Sequence, residues 1–463
     1  MTLRNQALKG GFIMVVRQGL GILLSLIGVI LITRVIGASQ YGLFGASAGI
    51  IIFLYRLGNL GLDIYLVRKT TTPEQKEYNQ VFTILLGVSI FLVTGIILGQ
   101  NIIANTLKLP DVAPILVVLS FSIPLNLLNI PFMIKLDRDL NFQRVALIEL
   151  ISQISFYLTA IPLAFQGAGA WSPAIGLLTQ QGCMLALTFY SSNLRLRLCW
   201  RKALVKQMFA YGISYSSSTW IWELRTLVNP VIVGRFAGAE AVAFVALCIR
   251  LVEMLAFAKG VTWRLAMASL AKLENDKKRL RESINEGMRL QALAVGIPMA
   301  VFSVLAPVLL TMVFGEKWNP VLIIFPFIAI SYLSNSVFNL HSSVLYLLGK
   351  NMKMAAFHFV HVLLFIGSAV LLVPKMGMIG YAWAEIVALV SYLLLHFYTE
   401  IEVGSLKYTA LVVWYLICAA VLFISTTNVY YRYFSSLLLL IPLISQRERQ
   451  NLMGYFRVFK SGN

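Results

Sequence analysis

The sequence predicts an all-α integral membrane protein with 12–14 transmembrane helices. Its composition carries much of this prediction: 59% of the residues are hydrophobic, only 12% are charged, and the mean hydropathy is +0.81 over 463 residues. A soluble core does not need that much apolar surface. In addition, fourteen apolar stretches are long enough, at about 1.5 Å of helix per residue, to span or nearly span the ~30 Å hydrocarbon core of a bilayer.

Charged residues, proline or glycine bound each apolar run and define the helices in order. The runs lie near residues 12–33, 43–66, 81–104, 112–134, 145–165, 170–190, 208–233, 241–263, 291–313, 321–348, 354–373, 379–398, 408–425 and 429–445. The first run is predicted to be a retained helix, because no small-residue cleavage site of a secretion signal follows it. The last depends on interfacial tyrosines, since its uninterrupted apolar part covers only residues 434–445.

The distribution of lysine and arginine predicts the orientation. If the N-terminus lies inside, 27 of the 38 basic residues fall in cytoplasmic segments, six in external loops and five within spans. Cytoplasmic loops are enriched in basic residues, so both termini are predicted to be cytoplasmic, in the cell membrane. The net charge of +19 then reflects topology and does not indicate nucleic-acid binding. Two longer basic segments, residues 195–206 and 272–289, are expected on the anionic leaflet or as solvated loops.

A short internal repeat indicates a duplication. Residues 34–38 read Arg-Val-Ile-Gly-Ala and residues 235–239 read Arg-Phe-Ala-Gly-Ala, at an offset of 201 residues. Six predicted spans separate the copies, so the two halves have the same orientation and are related by an axis along the membrane normal. We therefore expect two pseudo-symmetric six-helix lobes, over residues 1–200 and 201–400, followed by two additional helices and a basic cytoplasmic tail over residues 401–463.

Several arginines lie inside predicted spans, where each costs at least about 2.5–3.5 kcal/mol, so such residues normally face a bundle interior or a wet cavity. On the first helix, Arg17 shares a face with Gly21, Ser25 and Gly28. This small-residue surface is suited to line a space.

The second and seventh helices carry polar faces of the same kind. On the second helix, Arg56, Asn59 and Asp63 share one face. The seventh carries polar and aromatic residues at steps of three and four: Tyr211, Tyr215, Ser218, Trp222, Arg225 and Asn229. Hydroxyls, amides and flat aromatic faces are the groups that a sugar-binding cavity requires.

A structural network is the alternative explanation for these charges. Arg250 and Glu253 on the eighth helix are three residues apart and can pair. Glu149 and Glu385 offer further partners for buried bases. The candidate cavity residues are therefore the following: Arg17, Arg56, Asn59, Asp63, Trp222, Arg225, Asn229 and Arg250.

The first seventy residues resemble a known transporter family. Gly-Gly-Phe at residues 10–12, Arg-Val-Ile-Gly-Ala-Ser-Gln-Tyr-Gly at 34–42 and Leu-Gly-Asn-Leu-Gly-Leu at 57–62 are similar to the first two helices of polysaccharide-repeat (O-antigen type) flippases of the MOP superfamily. The superfamily also contains MATE drug exporters and lipid II flippases. The resemblance implies two six-helix lobes in a V shape. It also implies a role for Arg17, Arg56 and Arg250, because lipid II flippases hold pyrophosphate with arginines on these same helices.

The function implied by this resemblance is export of an undecaprenyl-pyrophosphate-linked oligosaccharide for surface polysaccharide synthesis, with glycosyltransferases and a polymerase as partners. Two alternatives stay open: a lipid II flippase, and a cation-coupled MATE-like exporter, which predicts a dominant intramembrane carboxylate. Five basic and five acidic residues inside the spans do not separate them. A polymerase or glycosyltransferase is disfavoured, because the longest external connector is only about nine residues.

No enzymatic, cofactor or metal chemistry is predicted. The sequence contains no GxxxxGK[ST] phosphate-binding motif and no soluble stretch long enough for a nucleotide-binding domain. The four cysteines are scattered, without the spacing of a metal site or of a disulfide framework.

Overall fold

A computed structural model describes residues 3–69, 71–257, 259–260, 270, 276–427, 429–444, 446 and 449–450. Within these residues the chain forms helices and no β-strand. Hydrocarbon offers no hydrogen-bonding partner, so a helix, which pairs its N–H and C=O groups within one segment, is the form that such apolar runs adopt. The predicted fold class is confirmed.

The helices of the first half are α1 (Leu3–Gly58), α2 (Leu62–Arg68), α3 (Gln75–Leu107), α4 (Val112–Ser120), α5 (Ser122–Arg138), α6 (Phe142–Phe165), α7 (Trp171–Ser192) and α8 (Lys202–Glu223). A 3-10 turn (Leu224–Leu227) and a π-helical turn (Val228–Val233) then lead into α9 (Gly234–Leu255).

The second half contains α10 (Lys277–Gln291), α11 (Ile297–Phe314), α12 (Pro320–Val337), α13 (Asn339–Leu347), α14 (Asn351–Met376), α15 (Met378–Ala388), α16 (Tyr392–Val403), α17 (Thr409–Ile424) and α18 (Val429–Ser436). Nine helices in the described part of the chain are long and apolar enough to cross a membrane. Two of them, residues 17–58 and 219–255, each overlap two predicted spans. The remaining predicted stretches, near 170–190, 408–425 and 429–445, form shorter or less apolar helices.

Two glycines bend the double-length helices at equivalent points. Gly37 has φ 77° and ψ 171°, and Gly238 has φ 85° and ψ 176°. This backbone region is open essentially only to glycine. The two glycines are the matching residues of the repeat, so both copies of the short repeat have the same backbone conformation at this point.

The chain forms two compact units. Unit 1 comprises residues 1–246 and 369–381, and unit 2 comprises residues 247–368 and 382–463. In unit 1, α6 packs along α7 and α1, and α5 packs against α7 and α3. In unit 2, α11 packs along α17. The lobe boundaries expected at residues 200 and 400 stay a prediction.

Residues 277–289 of the second basic segment lie in the amphipathic helix α10, and residues 272–275 lie outside the described residues. The Asp276 side chain accepts a hydrogen bond from the Arg279 backbone N–H at 3.0 Å and caps the first turn. Leu280, Ile284 and Met288 follow at steps of four and are fully buried. They face the side on which α10 contacts α12, α13 and α16 of unit 2. The apolar stripe of α10 is therefore covered by protein.

Candidate functional site

Arg17 forms an ion pair with Glu149 of α6, a partner available from the sequence. Its Nε lies 3.0 Å from Glu149 Oε2, and the two side chains are 29% and 24% exposed. The Arg17 Nε has no aligned hydrogen bond among the described residues, so the contact is chiefly electrostatic. The pair neutralises a charge that lipid would not tolerate, and it keeps both side chains partly accessible.

Helix α6 packs against the small-residue face of α1. Gln153 Nε2 donates a hydrogen bond to the Gly21 carbonyl at 2.7 Å. Two turns further along α1, the Tyr157 ring lies where a Cβ on Gly28 would be, only 1.9 Å away. The residues that the sequence suggested as the lining of a space therefore admit a neighbouring helix at close range.

Arg56 pairs with Glu223 at the end of α8. Arg56 Nη1 lies 2.5 Å from Glu223 Oε1, with Arg56 nearly half exposed and Glu223 more buried. Among the described residues, the second carboxylate oxygen of Glu223, Oε2, has no hydrogen-bond partner. The Glu223 carboxylate thus holds Arg56 through one oxygen, and its other oxygen is buried.

Asn59 and Asp63 do not share a helix face with Arg56, because α1 ends at Gly58 and α2 begins at Leu62. In the turn between them, Gly61 has φ 70°, and a Cβ there would lie 2.3 Å from Ser216 Oγ. Asn59 Oδ1 accepts from the Asp63 N–H at 3.4 Å, and Asp63 Oδ1 accepts from the Ile64 N–H at 2.7 Å. Both side chains therefore support the start of α2.

Trp222 and Arg225 contact each other where α8 changes into the 3-10 turn. The guanidinium carbon of Arg225 lies 4.6 Å from the Trp222 ring centroid, a cation–π contact. Residues three apart eclipse in 3-10 geometry, which brings this pair together. The predicted stripe is thus not one α-helical face beyond Glu223, and the side chains of Tyr211, Tyr215 and Ser218 lie outside the described residues.

The Asn229 side chain links the π-helical turn to α9 by a hydrogen bond. Its Nδ2 donates to the Val242 carbonyl at 3.3 Å, while Oδ1 has no hydrogen-bond partner within the described ranges. Pro230, which lacks an N–H, interrupts the regular α-helical hydrogen bonds at this point. Gly49 of α1 packs on the Pro230 ring, with a Cβ position 3.1 Å from Cγ.

Arg250 lies in unit 2 on α9 and is exposed. Three residues further on, Glu253 Oε1 accepts a hydrogen bond from Tyr332 Oη at 3.1 Å. The Lys259 ammonium donates to Asn335 Oδ1, and Asn335 Nδ2 donates to Tyr392 Oη at 2.7 Å. Unit 2 therefore carries its own row of charged and amide groups.

Sequence reasoning missed Gln153 and Tyr157 as partners of the first helix. A signal was available, because Glu149, Gln153 and Tyr157 recur at steps of four on α6 and oppose Arg17 and Gly21 of α1. Glu223 was visible only as an intramembrane carboxylate. Its pairing with Arg56, 167 positions away, depends on tertiary packing.

The profile of the family described as "Polysaccharide biosynthesis protein" matches residues 31–323. Similar curated proteins include the lipopolysaccharide biosynthesis protein WzxC of Escherichia coli K12, 21% identical over 74% of this chain and 70% of that protein. The succinoglycan biosynthesis transport protein ExoT of Rhizobium meliloti is 23% identical over 64% of this chain, and the teichuronic acid biosynthesis protein TuaB of Bacillus subtilis is 23% identical over 65%. The chain spans only 60% and 62% of the lengths of these last two.

Solved structures share the fold. The lipid II flippase MurJ in an inward closed conformation matches with a TM-score of 0.76 at 15% identity, over 93% of this chain and 96% of that one. An inward-facing MATE multidrug transporter of the MOP superfamily matches with a TM-score of 0.64 at 13% identity, over 84% and 96%.

Proposed function

The chain belongs to the polysaccharide biosynthesis protein family, and from that premise we propose that it is a flippase. Its substrate is an undecaprenyl-pyrophosphate-linked oligosaccharide repeat unit, which it exports across the cytoplasmic membrane. The family match over residues 31–323 carries the proposal, because this range includes Arg56, Glu223, Arg225 and Arg250. The names of the relatives, which include a succinoglycan transport protein, support the same class of cargo.

The ion pairs of unit 1 give the diphosphate a place to bind. Among the described residues, Arg17 and Arg56 each form an ion pair with one carboxylate, and both stay partly exposed. A guanidinium has five N–H donors and binds phosphate in bidentate fashion, so an incoming diphosphate competes for donors with Glu149 and Glu223. Glu149 and Glu223 thus keep the arginines neutralised in the empty protein, and the diphosphate replaces them when substrate binds.

The glycan requires hydrogen-bonding groups and flat apolar faces. Glu223 Oε2 is buried in the empty protein, next to the diphosphate position at Arg56, and becomes an acceptor for a sugar hydroxyl once the diphosphate displaces the carboxylate. Trp222 offers its indole ring, already oriented by the Arg225 guanidinium at 4.6 Å. The prenyl chain stays in lipid, and no covalent bond is broken.

Energy for export comes partly from the membrane potential. Moving each negative charge outward from a negative interior gains about 2.3 kcal/mol per 100 mV. A bare diphosphate cannot cross hydrocarbon, because an unpaired charge there costs far more than this gain. The paired arginines lower that cost.

In this scheme both termini are cytoplasmic, glycosyltransferases supply the substrate and a polymerase consumes the exported unit.

Deleting the gene tests the substrate class. We expect lipid-linked repeat units to accumulate on the cytoplasmic side and the surface polymer to be lost. Reintroducing the wild-type gene should restore both. Unchanged surface polymer together with greater sensitivity to cationic dyes would instead identify an exporter of small cations.

That second candidate, a MATE-like exporter, is favoured by one observation. Arg17 and Arg56 are already paired, and the buried Glu223 Oε2, which has no hydrogen-bond partner among the described residues, is a place for a transported proton. Dye efflux from proteoliposomes under an imposed proton gradient distinguishes the two functions, since a flippase for an anionic lipid gives no dye efflux.

A further inference from the structure

The connector between α7 and α8 is an extended amphipathic segment. Residues 194–201 read Leu-Arg-Leu-Arg-Leu-Cys-Trp-Arg and form no helix. Alternate side chains of an extended chain point to opposite faces. The even positions are three leucines and Trp200 and form an apolar face, whereas three of the four odd positions are arginine. Leu194 is buried, whereas Leu198 and Trp200 are 69% and 66% exposed. We name residues 194–201 the interfacial strand.

Side chains of α3 hold the backbone of the interfacial strand. Gln75 Nε2 donates to the Arg195 carbonyl at 2.7 Å. The backbone N–H groups of Arg197, Cys199 and Arg201 donate to Asn79 Oδ1 at 3.1 Å, Thr83 Oγ1 at 2.9 Å and Gln80 Oε1 at 2.7 Å, respectively. These bonds replace the neighbouring strand that an extended chain normally needs. The segment therefore has a fixed orientation.

The hydrogen bonds also fix the depth of the strand. Residue 195 lies level with Gln75, where α3 is still polar, and residue 199 lies level with Thr83, within the apolar run that begins at Val81. Eight helical residues rise about 12 Å and four extended residues about 13 Å, so residues 195–199 run beside residues 75–83, and the bond from Arg201 to Gln80 then brings the chain back by about one turn of α3. The strand thus crosses the level at which α3 enters hydrocarbon, with Trp200 near the boundary.

The charge of the connector itself is entirely basic, and the acidic residues of α3 next to Gln75 have their own basic partners, Glu74 with Lys76 and Glu77 with Lys69. From Trp171 to Trp222 the sequence contains five basic residues and no aspartate or glutamate. Arg195, Arg197 and Arg201 are exposed. Trp and Arg are the side chains that favour the headgroup level, since one end of each is apolar and the other is polar.

We propose that the interfacial strand is a binding site for anionic phospholipids. Trp200 and Leu198 enter the boundary of the acyl chains, and the three arginines bind lipid phosphates at the headgroup level. An acidic protein partner fits less well, because the exposed Leu198 and Trp200 lie at the level of lipid. The site depends on the membrane location of the chain and not on its cargo, so the proposal stands or falls independently of the flippase assignment.

Quenching of Trp200 by brominated lipids tests this site in the full-length protein. The protein is reconstituted in vesicles containing either brominated phosphatidylglycerol or brominated phosphatidylcholine at equal mole fraction. The difference between wild type and Trp200→Phe isolates the Trp200 emission. We expect at least about fivefold preferential quenching by the anionic lipid at low salt, which corresponds to about 1 kcal/mol for one basic residue near the surface. Salt at 1 M should remove most of it, because the Debye length falls to about 3 Å.

Charge variants decide whether the arginines carry the preference. Replacing Arg195, Arg197 and Arg201 together by glutamine should abolish the preference, and replacing them by lysine should retain most of it. The matched control changes three exposed basic residues of α10 to glutamine and should leave Trp200 quenching unchanged: Lys277, Lys278 and Arg279.

Three outcomes would overturn the proposal. Equal quenching by both lipids would mean that Trp200 lies at the interface without selecting anionic headgroups. No quenching by either lipid would place the strand in water, as an acidic protein partner requires. A preference for anionic lipid that persists in the glutamine triple variant would assign the selectivity to other residues.

Discussion

At the scale of single residues, two intramembrane arginines of unit 1 are each neutralised by a carboxylate. Arg17 meets Glu149 and Arg56 meets Glu223, each across two helices. These ion pairs are compatible with both explanations that the sequence offered, a structural network and a substrate-binding cavity. A structural ion pair and one that the substrate displaces have the same geometry before substrate binds. Removing one member separates them, since an uncompensated buried charge destabilises the fold whereas a lost ligand group reduces transport.

We therefore expect Arg56→Ala to reduce export of lipid-linked glycan by about tenfold or more, the effect of losing charge-assisted hydrogen bonds worth about 1.5–3 kcal/mol. Arg56→Lys should restore export only partly, because lysine lacks the bidentate fork. Glu223→Gln should leave Arg56 free to bind the diphosphate more tightly. Surface polymer and membrane abundance are measured on the same cells. Lys76→Ala, which breaks the exposed Lys76–Glu74 pair, is the control. Loss of protein with unchanged export per molecule would make the Arg56 pair purely structural.

The close approach of α1 and α6 gives a second prediction. Gly28→Ala should lower the melting temperature in detergent, because its Cβ would lie 1.9 Å from the Tyr157 ring. Overpacking of this kind costs about 1–3 kcal/mol. Tyr157→Ala in the same protein should relieve part of the loss. Gly19→Ala, on the same helix with nothing within 4 Å, should be neutral or slightly stabilising. Equal effects of the two glycine variants would refute the packing described here.

At the scale of helices, apolar runs predicted the positions well and polar faces predicted partners poorly. Most helix ends agree within a few residues, because hydrocarbon leaves the backbone no alternative to a helix. The face shared by Arg56, Asn59 and Asp63 fails, because a turn at Leu60 and Gly61 separates α1 from α2. An ideal helix was also assumed beyond Glu223, where 3-10 and π turns follow. Neither break has a strong sequence signal apart from Gly61 and Pro230.

The repeated glycine bends give the prediction at this scale. Gly37→Ala and Gly238→Ala should each destabilise the protein by about 1–3 kcal/mol, because the backbone lies in a region reserved for glycine although nothing obstructs a Cβ. Gly95→Ala in the middle of α3, also unobstructed, should be stabilising. Thermal unfolding in detergent measures all three. An unchanged melting temperature for both bend variants would contradict the bends.

At the scale of the whole molecule, the uneven distribution of basic residues predicts the orientation. Cysteines introduced in a cysteine-free background at Lys317 should react with an impermeant reagent added outside, and cysteines at Lys277 should react only after permeabilisation. The charge asymmetry between connectors is the physical reason. The opposite labelling pattern would reverse the topology and place the interfacial strand in the outer leaflet.

The fold class and the family are within reach of the sequence because composition and a few motifs in the first helices determine them. The pairing of charges is not, since Glu149 and Glu223 reach their arginines only through tertiary packing. The alternation of leucine and arginine before α8 was readable, but its role depends on the contacts with α3. Long-range polar contacts are therefore where the structure adds most.

The central claim is that Arg17 and Arg56 hold the diphosphate of a lipid-linked glycan during export. The most direct measurement is the sidedness of lipid-linked repeat units in spheroplasts, read by an impermeant glycan-labelling reagent, for the double variant Arg17→Ala, Arg56→Ala at wild-type abundance. The account predicts repeat units that stay inaccessible until the membrane is permeabilised. Wild-type labelling of the double variant would contradict the anion-binding mechanism.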